Sequence, residues 1–124
     1  MVCALLVIVL SSTGCYSEFD LGDVQGLVTV DGKPKAGVIL SFKQREGVRP
    51  SGGTSDADGN YRLVFNRENA GALVGINQVS VLAEDNLAKK LGHPQSTLLV
   101  KEVEVKRGSN TIDLELTEFR PADQ

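Results

Sequence analysis

Four groups of side chains in this 124-residue sequence have the types and spacing to do chemistry. The first is Cys15, a thiol at a sharp junction. Before it lie the apolar run Val2 to Leu10 and the small residues Ser11-Ser12-Thr13-Gly14, and after it the polar, acidic Tyr16-Ser17-Glu18-Phe19-Asp20. The second is Asp56, Asp58 and Asn60 around Gly59, oxygen ligands at alternate positions as in a calcium loop. An EF-hand also needs an acidic ligand at its twelfth position. Counted from Asp56 that position is Arg67, and Tyr61 leads straight into a strand pattern, so the trio reads as a hairpin turn. The third is His93, the single histidine. A catalytic imidazole needs an orienting partner and a nucleophile or metal, and the sequence offers none beside it. The fourth is the set Lys33, Lys101 and Asn110, the residue types of an isopeptide cross-link. That chemistry requires lysine, amide and acid inward on neighbouring strands, at a heavy desolvation cost without the full triad. Lys33 lies in a turn, and only Lys101 has the inward phase.

The remaining candidates are weaker. Ser12, Ser51 and Ser96 lack a Gly-x-Ser-x-Gly context, and Gly52-Gly53 lacks the strand–glycine–helix frame of a phosphate loop. Cys3 lies within the apolar run, so one Cys and one His are left for the rest of the chain, too few to close a structural zinc site. Asn77 has the inward phase of its strand and is expected to hydrogen-bond a loop carbonyl near one end of the fold. No catalytic residue, metal site or cofactor is expected. Cys15 remains.

Ten helical residues cover roughly 15 Å, half of a bilayer core, so the first segment reads as a secretory signal and not as a span. Gly14-Cys15 resembles the lipobox of bacterial lipoproteins, with Ser12 standing where that pattern prefers an aliphatic residue and no Lys or Arg ahead of the apolar run. The resemblance implies cleavage before Cys15, a diacylglycerol thioether on its sulfur and acylation of its new amine. Residues 1–14 are thus a predicted signal peptide. Several buried acyl chains, at roughly 0.8 kcal/mol per CH₂, hold a protein on a membrane far more firmly than one myristoyl group. A lone exposed thiol in an oxidising compartment is a liability that the thioether removes.

The elements behind Cys15 follow from hydropathy. About 110 residues remain after the signal, the size of one ordinary domain. The formal charge of −3 and the lack of a basic stripe argue against nucleic acid. Trp is absent and aromatics are few, which weakens a sugar-binding reading. Period 2 dominates. Val28 and Val30 alternate with Thr29 and Asp31; Val38, Leu40 and Phe42 with Ile39, Ser41 and Lys43; Tyr61, Leu63 and Phe65 with Arg62 and Val64. Val79 and Val81 enclose Ser80, Val103 and Val105 alternate with acids, and Ile112, Leu114 and Leu116 alternate with Asp113 and Glu115. Six such half-buried strands, with a seventh at Gly53 to Ser55, predict an all-β fold: a seven-stranded antiparallel Greek-key sandwich. Asp31-Gly32, Asp58-Gly59 and Arg107-Gly108 mark turns. Across the long 84–99 connection Asp85 is placed to cap a short helix through Leu87 and Leu91, stopped by Gly92 and Pro94.

The motif order carries a second resemblance. Val28-Thr29-Val30-Asp31-Gly32-Lys33-Pro34 with Ala36-Gly37-Val38, then Thr54 to Leu63 on the pattern T-D-x-x-G-x-Y-x-L, is similar to carboxypeptidase regulatory-like domains. Gly71-Ala72, Gly75 and Val79-Ser80-Val81 fit a further stretch of such domains, with Asn77 where relatives often carry His, and Lys106 to Asn110 fits their close. The likeness implies a transthyretin-like sandwich over residues 24–117, without catalysis, behind a tether at 15–23 and ahead of a C-terminal tail at 118–124. Hydroxyisourate hydrolases and intradiol dioxygenases resemble it in shape but use several His, Arg or Tyr groups. Tyr16, Tyr61 and His93 cannot fill those roles.

Together these readings predict a non-enzymatic envelope lipoprotein anchored through Cys15. Its partners would be the membrane and an envelope protein or polymer. Tyr16 stands after the Cys where inner-membrane retention favours Asp, which points to the outer membrane. The competing reading is a module that binds a small ligand or carbohydrate through the loops at one end of the sandwich. A concave, partly apolar loop cluster with convergent polar groups would favour that alternative, and a flat face would favour protein contact.

Overall fold

The computed structural model describes residues 20–47 and 49–122. Cys15 and the rest of the proposed signal and lipidation site lie outside the described residues, as does the end of the tail. The described chain forms two β-sheets packed face to face, with one short helix.

The alternation of apolar residues decides which side of each strand turns inward. In the five-stranded sheet β3 (Ile39–Gln44) pairs antiparallel with β4 (Ser51–Thr54) and with β7 (Gly75–Ala83). β7 pairs with β8 (Thr97–Val105), and β8 with β11 (Arg120–Pro121). The other sheet is built around β1 (Leu21–Val30). One edge of β1 takes three antiparallel pieces: β6 (Ala72–Leu73), β5 (Asn60–Arg62) and β2 (Lys33–Pro34). Its other edge takes β9 (Gly108–Thr111) and β10 (Leu114–Glu115). Val24 and Val28 from β1, Leu40 and Phe42 from β3, Val79 and Val81 from β7, and Leu63, Leu99, Leu114 and Leu116 meet between the sheets, all essentially inaccessible. At roughly 1.5–3 kcal/mol for each fully buried side chain, this shared layer is the main stabilising term.

The predicted sandwich is present, and its details differ from the pattern in four ways. Eleven strand segments stand among the described residues where the alternation predicts seven strands, because β1 is long enough to pair with five short pieces in succession. β9 and β10 run parallel to β1. They follow β8, which belongs to the opposite sheet, so Lys106-Arg107 crosses between layers and imposes no hairpin direction. Residues 20–22, within the predicted tether, are part of the fold: Leu21 and Gly22 pair with Leu73 and Ala72, and Arg107 grips Asp20 with bonds of 2.9–3.1 Å. Within the predicted tail, Arg120-Pro121 form a strand that pairs with Val100 and Leu99.

The turns follow their residue types. Asp31 (φ 53°) and Gly32 (φ 80°) make the two-residue connection from β1 to β2, with the backbone of a type I′ turn. The helix α1 (Asp85–Lys90) forms where the Leu87/Leu91 spacing predicts, and both leucines pack against the core. It ends in a Schellman arrangement, with His93 N–H donating to Ala88 O and Gly92 N–H to Lys89 O. Asp85 does not cap it. Glu84 occupies the cap position without a side-chain bond, while the Asp85 carboxylate accepts from Ser96 N–H at 2.9 Å and Ser96 Oγ at 3.1 Å, closing the 84–99 connection on itself.

Candidate functional site

A feature that departs from a well-buried sandwich is an apolar groove on the outer face of the five-stranded sheet. Its floor begins with register. Leu40 faces Val81 and Leu82 faces Leu98, so Ile39, Leu82 and Leu98 are lateral neighbours on β3, β7 and β8. These three aliphatic side chains point away from the core and are 71%, 60% and 45% exposed. Ser41 and Ser80 continue the floor.

Two walls rise from it. One is the 35–38 segment, fixed by Ser55, whose hydroxyl donates to Lys35 O at 2.7 Å and accepts from Val38 N–H at 2.8 Å. The other is Glu84, Asn86 and Leu87 at the start of α1, held by the Asp85–Ser96 tie. The enclosed space is about 460 Å³ and open to solvent. Lys35 and Glu84 both line it, and neither joins an ion pair among the described residues. The groove lies at the end of the sandwich where β1 leaves for its Asp31-Gly32 turn. The chain enters at Asp20, at the other end.

A smaller hollow of about 300 Å³ lies on the outer face of the β1 sheet, lined by Gln25, Leu27, Asn60, Thr111 and Asp113. Tyr61 and Gly26 form its base. Burial, reinforced by the Asp113 carboxylate, pushes the Tyr61 phenol well above its ordinary range, and its O–H donates to Ile112 O at 2.5 Å. Asp113 itself accepts from Leu27 N–H at 3.0 Å.

The residues singled out by type fall apart as chemistry and come together as architecture. Asp56 Oδ1 accepts from Asp58 N–H and Asn60 N–H at 2.9 and 3.0 Å, so the supposed calcium trio is an Asx turn. Among the described residues no group of three His, Cys, Asp or Glu side chains converges to hold a metal ion. His93 is half-buried beside the helix stop and lines neither the groove nor the smaller hollow. Lys101 pairs with Glu118 at 2.9 Å, while Asn110 holds the Lys106 crossover through both its amide atoms, so the isopeptide set is split among different partners. Asn77 is fully buried, as its phase predicts, and its amide donates to Leu73 O and Gly75 O, carbonyls at the β6–β7 junction.

Glu115 is the polar residue that the sequence reading missed. Its carboxylate accepts from Asp31 N–H, Gly32 N–H and Thr29 Oγ1 at 2.7–3.1 Å, and from Thr117 N–H and Oγ1 at 3.2 and 2.9 Å. One side chain thereby ties the β1–β2 turn to the C-terminal 3₁₀ turn (Leu116–Glu118). Partial burial opposes its ionisation, but the donors from Gly32, Thr117 and Asp31 prevail and hold its pKa down to about 2. Glu115 alternates with the inward Leu114 and Leu116, so in sequence it reads as an ordinary outward acid. A folded pKa below the unfolded one means the stabilisation is complete above about pH 4.5 and is lost as pH falls towards 2. Glu115→Gln is expected to cost about 1–2 kcal/mol at neutral pH, given partial solvent screening, and to flatten the acid limb of stability. Urea melts between pH 2 and 7 check this, and parallel curves for the two proteins would refute it.

No family model and no curated sequence matches the chain. Among solved structures, a DUF3823 family protein from Parabacteroides merdae ATCC 43184 is similar in fold, with a TM-score of 0.53 at 17% identity, over 84% of this chain and 48% of that one. (S)-allantoin synthase gives 0.45 at 13% identity over 82% and 43%, and a 9R-lipoxygenase from Cyanothece PCC8801 gives 0.39 at 14% over 75% and 16%. The first is a likeness of fold alone, and this chain spans about half the length of that neighbour.

Proposed function

We propose that the chain is a non-enzymatic envelope lipoprotein of the carboxypeptidase regulatory-like kind. Lipidated Cys15 would anchor it, most simply in the outer membrane, and its sandwich would present an interaction surface. The observation that carries the reading is the groove at Ile39, Leu82 and Leu98, placed at the end opposite the chain's entry at Asp20. Exposed aliphatic side chains aligned across three strands cost solvation free energy unless something covers them. A tether of a few residues before Asp20 would leave that end facing away from the bilayer. Among the described residues no helix is long and apolar enough to cross a membrane, so attachment in this reading comes from Cys15.

The groove favours protein contact over a small ligand because its floor is mainly the exposed aliphatic side chains of Ile39, Leu82 and Leu98, with two serine hydroxyls as the polar groups on it. The smaller hollow gives the second reading its specific support. There Gln25, Asn60, Thr111 and Asp113 do converge, the kind of amide, hydroxyl and carboxylate set that binds a sugar hydroxyl cluster.

Two measurements test the reading. Labelled palmitate is expected in the wild-type chain and absent from Cys15→Ser; equal labelling of both would remove the anchor. A photocrosslinking residue at position 82 is expected to capture protein in cells, while one at position 60 is not. Capture at neither position, with an oligosaccharide protecting Asn60 and Thr111 from exchange, would shift the function to the smaller hollow.

A further inference from the structure

We propose that Asp31 is a site of slow covalent modification, where the Asp31-Gly32 peptide closes to a succinimide and reopens as isoaspartate, and that Glu115 sets the rate. Three features meet at this peptide bond. Asp31 is the one residue other than glycine with a positive φ among the described residues, at 53°. Asp tolerates that backbone region better than most L-residues, but not without strain. The next residue is an exposed glycine, with no heavy atom within 4 Å of the place a Cβ would take, so no neighbour crowds the bond. Both N–H groups of the pair nevertheless aim at one side chain. Gly32 N–H donates to Glu115 Oε1 at 2.7 Å, and Asp31 N–H to Oε2 at 3.0 Å.

In the first step the Gly32 nitrogen attacks Cγ of the Asp31 carboxyl group. A C–N bond forms, a Cγ–O bond breaks, and the oxygen leaves as water with the carboxyl and amide protons. Water then opens the ring. Attack at the side-chain carbon returns Asp, and attack at the main-chain carbon leaves a β-linked isoaspartate with a free α-carboxylate, so water is the only co-reactant. The nucleophile is a nitrogen that has given up its proton. Glu115 opposes that loss in two ways: it accepts the N–H, and its negative charge disfavours a second anion 2.7 Å away. Ring closure must also swing the Gly32 nitrogen off Glu115 and towards the Asp31 side chain, which opens the β1–β2 turn. The second Asp-Gly pair, Asp58-Gly59, lacks this device. Asp58 has no positive φ, and Gly59 N–H donates to a backbone carbonyl, Asp56 O, at 2.9 Å. An isoaspartate adds one carbon to the main chain of a two-residue turn, so its N–H groups cease to converge on Glu115. The modification is one-way, because it removes the clamp that slowed it.

Peptide mapping with electron-transfer fragmentation, after prolonged incubation of the full chain in mild detergent at mildly acidic pH, reads isoaspartate at 31 and 58 separately. Folded wild type is expected to modify Asp31 about tenfold or more slowly than the same chain unfolded in concentrated urea. Glu115→Gln keeps the shape of the side chain without its charge. It is expected to speed modification at Asp31 by about fivefold to thirtyfold, with Asp58 held within about twofold of wild type. Hydrogen exchange at the Gly32 amide should quicken in parallel. Equal rates at Asp31 in folded and unfolded wild type, no increase in Glu115→Gln, or the same increase at Asp58, the mark of general loosening, would each overturn the proposal. The wild-type comparison needs no variant, so it decides the outcome even where Glu115→Gln does not fold.

Discussion

Gly26→Ala is expected to remove at least about 3 kcal/mol of stability, enough to lower the melting temperature of a domain this size by roughly 12 °C or more, or to prevent folding. The reason is a close approach of two backbones. A Cβ on Gly26 would fall 2.0 Å from Ile112 O and 2.6 Å from Ile112 C, well inside contact distance. Ile112 cannot yield easily. Its N–H donates to Gln25 O at 2.8 Å, and its O accepts the buried Tyr61 phenol. Moving the carbonyl aside breaks that bond and leaves a desolvated hydroxyl without its partner. Gly52→Ala is the control, since its Cβ would meet nothing nearer than Leu40 O at 3.7 Å. That variant is expected to stay within about 1 kcal/mol of wild type. Chemical denaturation of the two proteins checks the contrast, and equal midpoints would show that β1 and the 112 backbone are not in contact.

Gly59→Val carries the second large effect, about 3 kcal/mol or more, and combines two separate penalties. The position has φ 83°, where a β-branched side chain is strained whatever its surroundings. The added Cβ would also lie 2.9 Å from Pro34 Cβ and 3.0 Å from Val28 O. The Asp58-Gly59 turn therefore packs on β1 and on the β1–β2 hairpin, and Gly59 O accepts from Val28 N–H at 2.8 Å. Gly59→Ala should show most of the backbone penalty and less of the crowding, so the three proteins are expected to melt in the order wild type, Ala, Val. A valine variant with an unchanged melting temperature would contradict both terms.

The two glycines differ in how visible their roles were. Gly59 follows Asp58 between two strand patterns, and that dipeptide announces a turn needing a positive φ. Gly26 interrupts a strand, which suggests a bulge or a near neighbour without saying which. The neighbour is Ile112, far along the chain, and only folding puts it there. Asn77 and Ile39 make the same contrast. Asn77 sits in phase with Val79 and Val81, so its burial could be read from alternation, while its acceptors at the β6–β7 junction could not. Ile39, Leu82 and Leu98 each interrupt an outward phase singly, and a single exposed aliphatic residue is ordinary. Their meaning depends on lying in one row, which is a matter of strand register.

Glu115 and the parallel strands mark the same boundary. An acid between Leu114 and Leu116 is indistinguishable in sequence from the acids beside Val103 and Val105, yet it holds two turns together because β10 lies beside the end of β1. Period 2 and turn chemistry are local properties, so the amino-acid sequence alone determined the sandwich class, the inward face of the main strands, the turns at Asp31-Gly32 and Asp58-Gly59, and the short helix with its stop. Strand order, the parallel edge of β1, the groove between the 35–38 segment and α1, and the clamp at Glu115 were decided only by tertiary structure. Each joins residues distant in the chain through inter-strand register, and no local pattern of side chains encodes which strand will lie next to which.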